Sequence, residues 1–572
     1  MVLVSALLGS VFPATIAPGA WSEPGVIITG VLLAIPVLVT LALLGQKFRR
    51  WAGPRRSAGP VSVAVAGRDP LFEAAVNEPS TSTNGHGVIS NVDEAGTVRF
   101  VPAKQKAVSR PGLDPGLARL LLWYLGTATF WLLFGTTVGE YLGIKFVAPD
   151  VDRVSWLSFG RLRPVHTNAV FWGWASLAMA GLGFYVTSVV SNAPLKSLRR
   201  GWWSLGLINA AVILGSVALM AGVNNGGGEY REYIWPVMAL FAAGILLALT
   251  NLIGTIAQRR SREIYISSWY IVAAVMFVAV IVVVAYTPFW QRGLGETIIQ
   301  GYYMHQGVGM WFMMFLLGLT YYFLPQQLNT PIFSYSLGIL AFWTQILFYT
   351  LIGTHHFVFS SIPWSLQTVA IVASVGMVIP VVAGTANFLL TFRGSFHRIG
   401  SSYTLPFFLV GVVFYFTGSM QGTAEAFRST NLFWHFTDFT VAHSHLTMYG
   451  IITFLLWGCI YATVPRLTGR EPPQATVGAH FWMALLGLLF YTVPLMIGGT
   501  LRGLAWLEGK PFIDSVVLMA PYWLWRAIGG TLMWISHWVF AYNLYRMIAG
   551  PRAVASTAAR SPRDPFPAEV TA

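Results

Sequence analysis

Thirteen long apolar segments constrain the fold of this 572-residue chain more than any other feature. About 20 apolar residues are enough to cross a bilayer as a helix. Because backbone polar groups inside a membrane must bond within their own segment, we expect an all-α polytopic membrane protein. One predicted span covers 25–45. Twelve more cover 117–141, 166–191, 202–223, 233–257, 265–288, 297–323, 336–357, 364–392, 405–422, 440–464, 478–499 and 523–547.

The segments between these spans indicate four parts. Residues 57–112 are rich in Gly, Ser, Pro and Asn without periodicity, which predicts a disordered or loosely ordered linker. We divide the chain into an N-terminal transmembrane helix (1–46), a flexible cytoplasmic linker (47–115), a twelve-helix core (116–550) and a cytoplasmic tail (551–572).

Basic residues collect in every second loop, which predicts that this side is cytoplasmic. The net charge of +14 therefore needs no nucleic-acid partner. The loop residues are Lys196, Arg199, Arg200, Arg259, Arg260, Arg262, Arg393, Arg398, Arg466, Arg470, Arg546 and Arg552.

Six of the eleven histidines fall at one outer depth of this topology, on four different spans. A lone membrane histidine is as often a structural hydrogen-bonding residue as a ligand. Six together indicate metal sites, because polar groups in a membrane are costly and usually functional. Imidazoles suit copper, iron and haem. The six are His166, His305, His355, His356, His443 and His445.

The spacing of His443 and His445 predicts two separate sites. Residues two apart lie about 200° apart around a helix, so each ring can bind its own metal on opposite sides. The single cysteine, Cys459, excludes a disulfide, an iron–sulfur cluster and a thiolate-bridged copper pair.

These residues resemble the catalytic subunit of haem–copper oxygen reductases, and within them the C-family, the cbb₃-type cytochrome c oxidases. The resemblance covers about 117–550. It lies in the stretches Gly160–Ala169, Tyr302–Gly309, Tyr349–His356, His435–His445, Pro465–Arg470, Arg526–Gly530 and Ala541–Tyr545.

The resemblance implies a role for each histidine. His166 and His445 would be the axial ligands of a low-spin haem b, and His443 the proximal ligand of a high-spin haem b. The remaining three, His305, His355 and His356, would hold a copper ion (CuB). Oxygen would be reduced to water there, with proton uptake or translocation.

Tyr349 is the residue that distinguishes the C-family. Better-known oxygen reductases have a tyrosine one turn after the first copper histidine, where this chain has Gly309. In the C-family the tyrosine precedes the His-His pair by six residues, as Tyr349 does, and its phenol can supply an electron and a proton. The alternative is a packing aromatic.

Polar residues at the outer level are expected around the haems. Arg161, Arg163 and Arg526 could pair with haem propionates, since Arg matches carboxylates. Arg161 could equally be a loop residue that faces water, and His435 and Asp438 could support the propionate sites. Glu229 resembles a family residue that helps to bind calcium. An ion pair of this acid with Arg163 or Arg231 would explain it equally well.

Two further features concern a family glutamate and proton uptake. Many C-family members have a glutamate where this chain reads Met420-Gln-Gly422, so the function of that acid is in doubt here. Polar candidates for proton uptake from the cytoplasm are Tyr321, Tyr322, Ser336, Thr344 and Gln345.

Two other functions compete with the oxidase. A nitric oxide reductase of the same superfamily would hold non-haem iron in place of copper, but it usually has a glutamate at the position of Gly309. No acid occurs between 297 and 357. A non-catalytic haem-binding membrane protein would need only His166 and His445.

The electron donor must lie outside this chain, because it has no Cys-x-x-Cys-His motif for haem attachment. We expect membrane-anchored c-type cytochrome subunits or a soluble cytochrome c. The expected location is the bacterial cytoplasmic membrane, as a multi-pass protein whose metal centres lie near the periplasmic side.

Overall fold

The computed structural model describes residues 22–52 (without the side chains of 47–52), 114–226, 228–287 and 292–550. Most of the predicted linker and the whole predicted tail at 551–572 lie outside the described residues. Within them the chain forms helices and no strand, which confirms the all-α prediction.

The described residues form thirteen helices of 15 residues or more, a number consistent with that of the predicted spans. Eleven are both long and apolar enough to cross a bilayer, and the other two are the shorter α8 and the 38-residue α13. The helices are α1 (Pro24–Ala52), α2 (Pro115–Val147), α3 (Phe159–Ser191), α4 (Leu198–Met220), α5 (Trp235–Ala257), α6 (Ile266–Tyr286), α7 (Gly293–Leu328), α8 (Tyr335–Tyr349), α9 (Trp364–Thr391), α10 (Leu405–Ala426), α11 (Asp438–Thr468), α12 (Gln474–Leu507) and α13 (Phe512–Ala549).

Three helices, α3, α7 and α11, form the centre of the bundle. Their most apolar stretches are 94%, 89% and 94% buried, whereas the eight other helices that meet the same length and hydropathy requirement range from 22% to 56%. A helix that is hydrophobic all round is one that other helices surround. The three central helices carry four of the six predicted ligand histidines.

Each central helix changes from α to π geometry within a few residues of its last histidine. The π segments are Ala169–Ala175 in α3, Gln306–Met313 in α7 and Leu446–Thr453 in α11. Such segments are rare and occur mainly at functional sites. None of them was predicted from the sequence.

Two predicted boundaries were wrong. The helix that carries His166 begins at Phe159, so this histidine lies two turns inside α3 rather than at its start. The prediction that His355 and His356 close a helix was also wrong, because α8 ends at Tyr349 and the pair lies in a 3₁₀ turn.

A tertiary contact explains why α8 stops early. Gly353, at the start of the 3₁₀ turn, packs directly on the backbone of α7, where a Cβ on this glycine would lie 2.7 Å from the Cα of Tyr302. This approach turns the chain back across α7 and brings the two adjacent histidines over the central helix.

The N-terminal helix α1 packs on α12. Its buried residues Val26, Thr29 and Leu33 follow the spacing of one helical face. Gly25 lies close to both α12 and α13, because a Cβ there would lie 2.8 Å from a methyl carbon of Leu501 in α12 and 2.2 Å from the hydroxyl oxygen of Tyr522 in α13.

Candidate metal centres

The first candidate site is a cluster of three imidazoles, His305, His355 and His356. Their ring centroids are 4.5 to 5.0 Å apart, and one ligand atom from each lies within 4.8 Å of the others. The buried Nδ1 of His305 has no hydrogen-bond partner, which is typical of an atom that binds a metal. His355 uses Nδ1 to donate to the hydroxyl of Ser374 (2.7 Å), which leaves its Nε2 free as a ligand.

The second candidate site lies between two parallel rings. The imidazole rings of His166 and His445 are nearly parallel, with an angle of 14° between their planes and 6.3 Å between their centroids. Each donates Nδ1–H to a backbone carbonyl, that of Gly135 at 2.7 Å and that of Val441 at 2.8 Å, so both Nε2 atoms are free. Two metal–nitrogen bonds of about 2 Å each, together with the distance from each nitrogen to its own ring centroid, add up to about this separation. The separation therefore fits one metal ion held between the two imidazoles.

His443 points to the other side of α11, as the one-residue spacing predicts. Its Nδ1 lies 3.0 Å from Oε1 of Gln421, an acceptor, so that Nε2 is the free nitrogen. Glu425, one turn further along α10, has a carboxylate oxygen 3.5 Å from the same Nδ1 and no hydrogen-bond partner for that oxygen. Gly422 lies between these two residues, and a Cβ there would lie only 3.1 Å from the His443 ring.

Glu425 is a residue that the sequence analysis missed. The predicted span ended at 422, and the acid that follows was assigned to a loop. Its spacing of four residues from Gln421 was the available signal, because residues four apart share a helix face.

Tyr349 lies beside the three-imidazole cluster, with its ring centroid 5.1 Å from that of His305. It occupies the space that a side chain at position 309 would need. A Cβ on Gly309 would lie 1.7 Å from a ring carbon of Tyr349. The tyrosine of α8 and any side chain at position 309 of α7 therefore exclude each other.

A buried ionic cluster lies near the outer ends of α11, α12 and α13. Asp438 accepts hydrogen bonds from Arg502 (2.9 Å) and from the indole of Trp523 (3.1 Å), and Arg526 lies 3.9 Å from the same carboxylate. The Nε atoms of both arginines are buried without a hydrogen-bond partner in the described chain. Such unused donors fit the carboxylates of a haem.

This ionic cluster lies close to the opposed imidazole pair. The guanidinium of Arg526 lies 5.4 Å from the ring of Tyr491, which in turn lies 4.3 Å from the ring of His445. Arg502 was not predicted because it follows the expected end of its span at 499. An arginine that continues an apolar helix was the signal that could have found it.

Other predicted outer residues have different surroundings. The half-buried His435 stacks on Phe436 with ring centroids 3.9 Å apart, and burial lowers its pKa. Arg161 donates to the carbonyl of Met220 at 3.1 Å, which ties it to the end of α4.

The loop between α4 and α5 holds the helix of His166 from both sides. Arg163 and Glu229 form an ion pair at 2.8 Å, and Asn168 donates to Glu232 at 2.9 Å. Burial is the largest cause that raises the pKa of Glu232, to about 7, and the hydrogen bond from Asn168 opposes it. The loop is therefore bonded to α3 three residues before His166, at Arg163, and two residues after it, at Asn168.

The ion pair bears on the calcium prediction for Glu229. The structure pairs this acid with Arg163, whereas Arg231 pairs with Glu296 at 2.9 Å. In the described residues, the three-imidazole cluster is the one group of three or more potential ligand side chains close enough to share an ion. This arrangement favours the ion pair, and calcium at Glu229 stays a prediction.

The residues predicted for proton uptake divide into two groups. Tyr321 and Gln345 are buried, and Gln345 donates to the carbonyl of Gly309 at 3.2 Å. Ser336 is exposed, Tyr322 is half-buried, and Thr344 donates its hydroxyl to a carbonyl of its own helix.

A membrane bundle with an opposed imidazole pair, a separate single imidazole and a three-imidazole cluster has the donor set of a redox metalloprotein. The comparisons with known proteins identify the family. Residues 119–532 match the family of cytochrome c and quinol oxidase polypeptide I, and the chain belongs to it. It is thus a subunit I of the haem–copper oxidase superfamily.

Several bacterial relatives are similar over most of their length. A cytochrome c oxidase subunit 1 homolog of Agrobacterium tumefaciens is 29% identical over 443 residues, which covers 74% of this chain and 82% of the relative. The cbb₃-type cytochrome c oxidase subunit CcoN1 of Stutzerimonas stutzeri is 28% identical over 439 residues, which covers 73% and 92%.

A solved structure supports the fold. A chain of a heme-copper terminal oxidase dimer, determined by cryo-EM, has a TM-score of 0.67 to this chain at 16% identity. The likeness covers 77% of this chain and 85% of the other.

Proposed function

We propose that this chain is the catalytic subunit of a cbb₃-type cytochrome c oxidase that reduces oxygen to water. In this proposal His166 and His445 hold a low-spin haem b, and His443 holds a high-spin haem b. Copper binds to the remaining cluster of His305, His355 and His356. When bound, these groups would supply one-electron transfer and the reduction of oxygen.

The hydrogen bonds at Nδ1 set the orientation and the protonated nitrogen of three proposed ligand histidines. In each of His166, His445 and His443 the acceptor orients the ring and keeps the proton on Nδ1, so that Nε2 is presented unprotonated. Hydrogen bonding of this kind also raises the basicity of the ligand nitrogen.

Tyr349 would supply an electron and a proton that the metal ligands do not provide. Reduction of oxygen to two water molecules takes four electrons and four protons, and a phenol can give one electron from its ring and one proton from Oη. Its position beside His305, over a glycine that leaves room for the ring, is the observation that carries the proposal. The buried Gln345, one turn deeper on α8, lies on the side from which protons would arrive.

Electrons would come from a c-type cytochrome, either a membrane-anchored partner subunit or a soluble protein. The similarity to a cbb₃-type subunit and the lack of a haem-attachment motif in this sequence both support this donor. The six histidines lie away from the basic loops. This supports metal centres near the periplasmic side of a bacterial cytoplasmic membrane, with protons taken up from the cytoplasm.

The test is metal and haem analysis of the purified complex, with turnover measured separately on oxygen and nitric oxide. We expect two haems b and one copper in this subunit, and oxygen turnover that Tyr349→Phe abolishes while haem and copper contents are kept. The control is Tyr124→Phe, which removes another buried hydroxyl, one that donates to the carbonyl of Gly201. It should leave turnover nearly unchanged.

The opposite result would identify the second candidate function. Non-haem iron in place of copper, with nitric oxide consumed and oxygen barely reduced, would contradict the oxidase. The chain would then be a nitric oxide reductase without the glutamate that those enzymes usually have at the position of Gly309.

A further inference from the structure

A cavity of about 380 Å³ opens between α5 and α6, far from the metal centres in the bundle's middle. All but one of its lining residues are non-polar. Its volume falls within the usual range of about 300–1,000 Å³ for small-molecule sites. The lining residues are Ile253, Ile256, Ala257, Ile264, Ser268, Trp269, Val272, Ala273 and Met276.

The cavity lies on the lipid-facing surface of the bundle, in the half next to the basic loops. Ile253 and Met276 are 45% and 51% exposed, so the cavity faces the surrounding membrane. From Ser268 to Met276 the helix rises about 12 Å, at about 1.5 Å per residue. This is close to half of a hydrocarbon core about 30 Å thick, so the cavity runs along one leaflet.

The inner end of the cavity carries a cluster of positive charge. Ala257 and Ile264 both line the cavity, and the loop that joins them contains Arg259, Arg260 and Arg262. All three arginines are exposed, and none forms an ion pair with a residue that the structure describes. One acid, Glu263, lies in the same loop.

We propose that this cavity binds one anionic phospholipid of the cytoplasmic leaflet, with an acyl chain between α5 and α6 and its phosphate on the three arginines. Arginine pairs with phosphate in a bidentate geometry, and basic sites between membrane helices on the cytoplasmic side bind anionic headgroups. Membrane orientation alone accounts for basic loops, but not for an apolar cavity that ends at one of them. A neutral lipid would leave the arginines without a partner.

The test is native mass spectrometry of the purified complex, delipidated and then mixed with phosphatidylglycerol or with phosphatidylcholine of the same chain length. Arg260→Gln with Arg262→Gln removes two charges at the cavity. Arg393→Gln with Arg466→Gln removes two exposed charges from other cytoplasmic loops. Ala273→Trp fills the cavity without a change in charge.

We expect one tightly retained phosphatidylglycerol in the wild type and in the Arg393/Arg466 variant. Its retention should fall at least severalfold in the Arg260/Arg262 variant and in Ala273→Trp, while phosphatidylcholine should not replace it. The haem absorption spectrum confirms that each variant is folded. Equal retention in the two arginine variants, or retention that survives Ala273→Trp, would overturn the proposal.

Discussion

Tyr349 and Gly309 compete for one volume, and this competition makes the glycine as informative as the tyrosine. A Cβ at 309 would lie 1.7 Å from the Tyr349 ring, far inside any normal contact. The absence of a side chain on α7 is therefore a steric requirement of a phenol that comes from α8. It also explains why neither the tyrosine nor the glutamate of other superfamily members stands at this position.

We predict that Gly309→Ala displaces the Tyr349 ring and lowers oxygen turnover at least about tenfold, which corresponds to about 1.4 kcal/mol of barrier. Overpacking should also destabilise the protein by about 1–3 kcal/mol. The control is Gly307→Ala, whose Cβ would approach Phe171 no closer than 3.1 Å. Turnover and thermal melting measure both effects, and similar activity in the two variants would contradict the steric argument.

His443 has a neutral hydrogen-bond acceptor at 3.0 Å and a carboxylate at 3.5 Å. Gln421→Glu would place a charged acceptor on Nδ1 and make Nε2 more basic, which stabilises the oxidised metal. We predict that the midpoint potential of the haem proposed to bind His443 falls by about 60 mV or more, which is tenfold in the equilibrium constant. Potentiometric titration of the visible spectrum measures it.

The matched variant is Glu425→Gln, which we expect to shift the potential less, because its carboxylate lies beyond hydrogen-bond distance of Nδ1. A larger shift in this variant than in Gln421→Glu would show that the carboxylate is the true partner of His443.

At the scale of elements, the loop between α4 and α5 connects two of the three central helices, α3 and α7. It bonds to α3 on both sides of His166. It also accepts from α7, where Gln300 donates to the backbone of Glu229 at 2.9 Å and Tyr303 donates to that of Tyr230 at 3.0 Å. The loop thus connects the helix of His166 and the helix of His305.

The buried acid of this loop, Glu232, predicts a dependence of stability on pH. Its pKa is raised from 4.5 to about 7, so between these values the folded protein holds a proton that the unfolded chain has lost. Stability is full below pH 4.5 and falls as the pH rises to about 7, by about 3 kcal/mol in total. Glu232→Gln should remove this fall.

Thermal melting of the haem-loaded complex between pH 5 and 8 tests this prediction. The melting temperature of the wild type should decline relative to that of Glu232→Gln as the pH rises. Glu508→Gln, which changes an exposed acid, should follow the wild type. Parallel curves for wild type and Glu232→Gln would show that this acid is already ionised at pH 5.

The helices and the grouping of the six histidines could be predicted, whereas details within the helices could not. The length of the apolar segments predicted the helices, and the spacing of His443 and His445 predicted that they lie on opposite faces. The π segments leave no such pattern, because α3, α7 and α11 are apolar all round and one extra residue per turn exposes nothing new. The early end of α8 depends on a contact between Gly353 and α7, which is distant in sequence.

At the scale of the whole molecule, α1 is attached to a core that is complete without it. It is the least buried of the long helices, at 22%, and contacts the core through one face. We predict that Gly25→Leu, which would overlap Leu501 of α12 and Tyr522 of α13, releases α1 from the core without loss of haem. Gly30→Leu, with nothing within 4 Å of its Cβ, should not release it.

Insertion of a protease site near residue 85 allows this measurement. After cleavage, the fragment with α1 should co-purify with the core in the wild type and in Gly30→Leu, but separate in Gly25→Leu. Retention of the fragment in all three proteins, or loss of haem in Gly25→Leu, would contradict a peripheral role for α1.

The exclusion between positions 309 and 349 also restricts how such a site can change over evolutionary time. A lineage that moved its phenol from α8 to α7 could not pass through a protein with both side chains, since they would overlap. Passage through a protein with neither would remove the phenol altogether. Single substitutions therefore cannot convert one arrangement into the other without loss of function. Relatives should divide into a group with the phenol on α8 and a group with it on α7, with few intermediates.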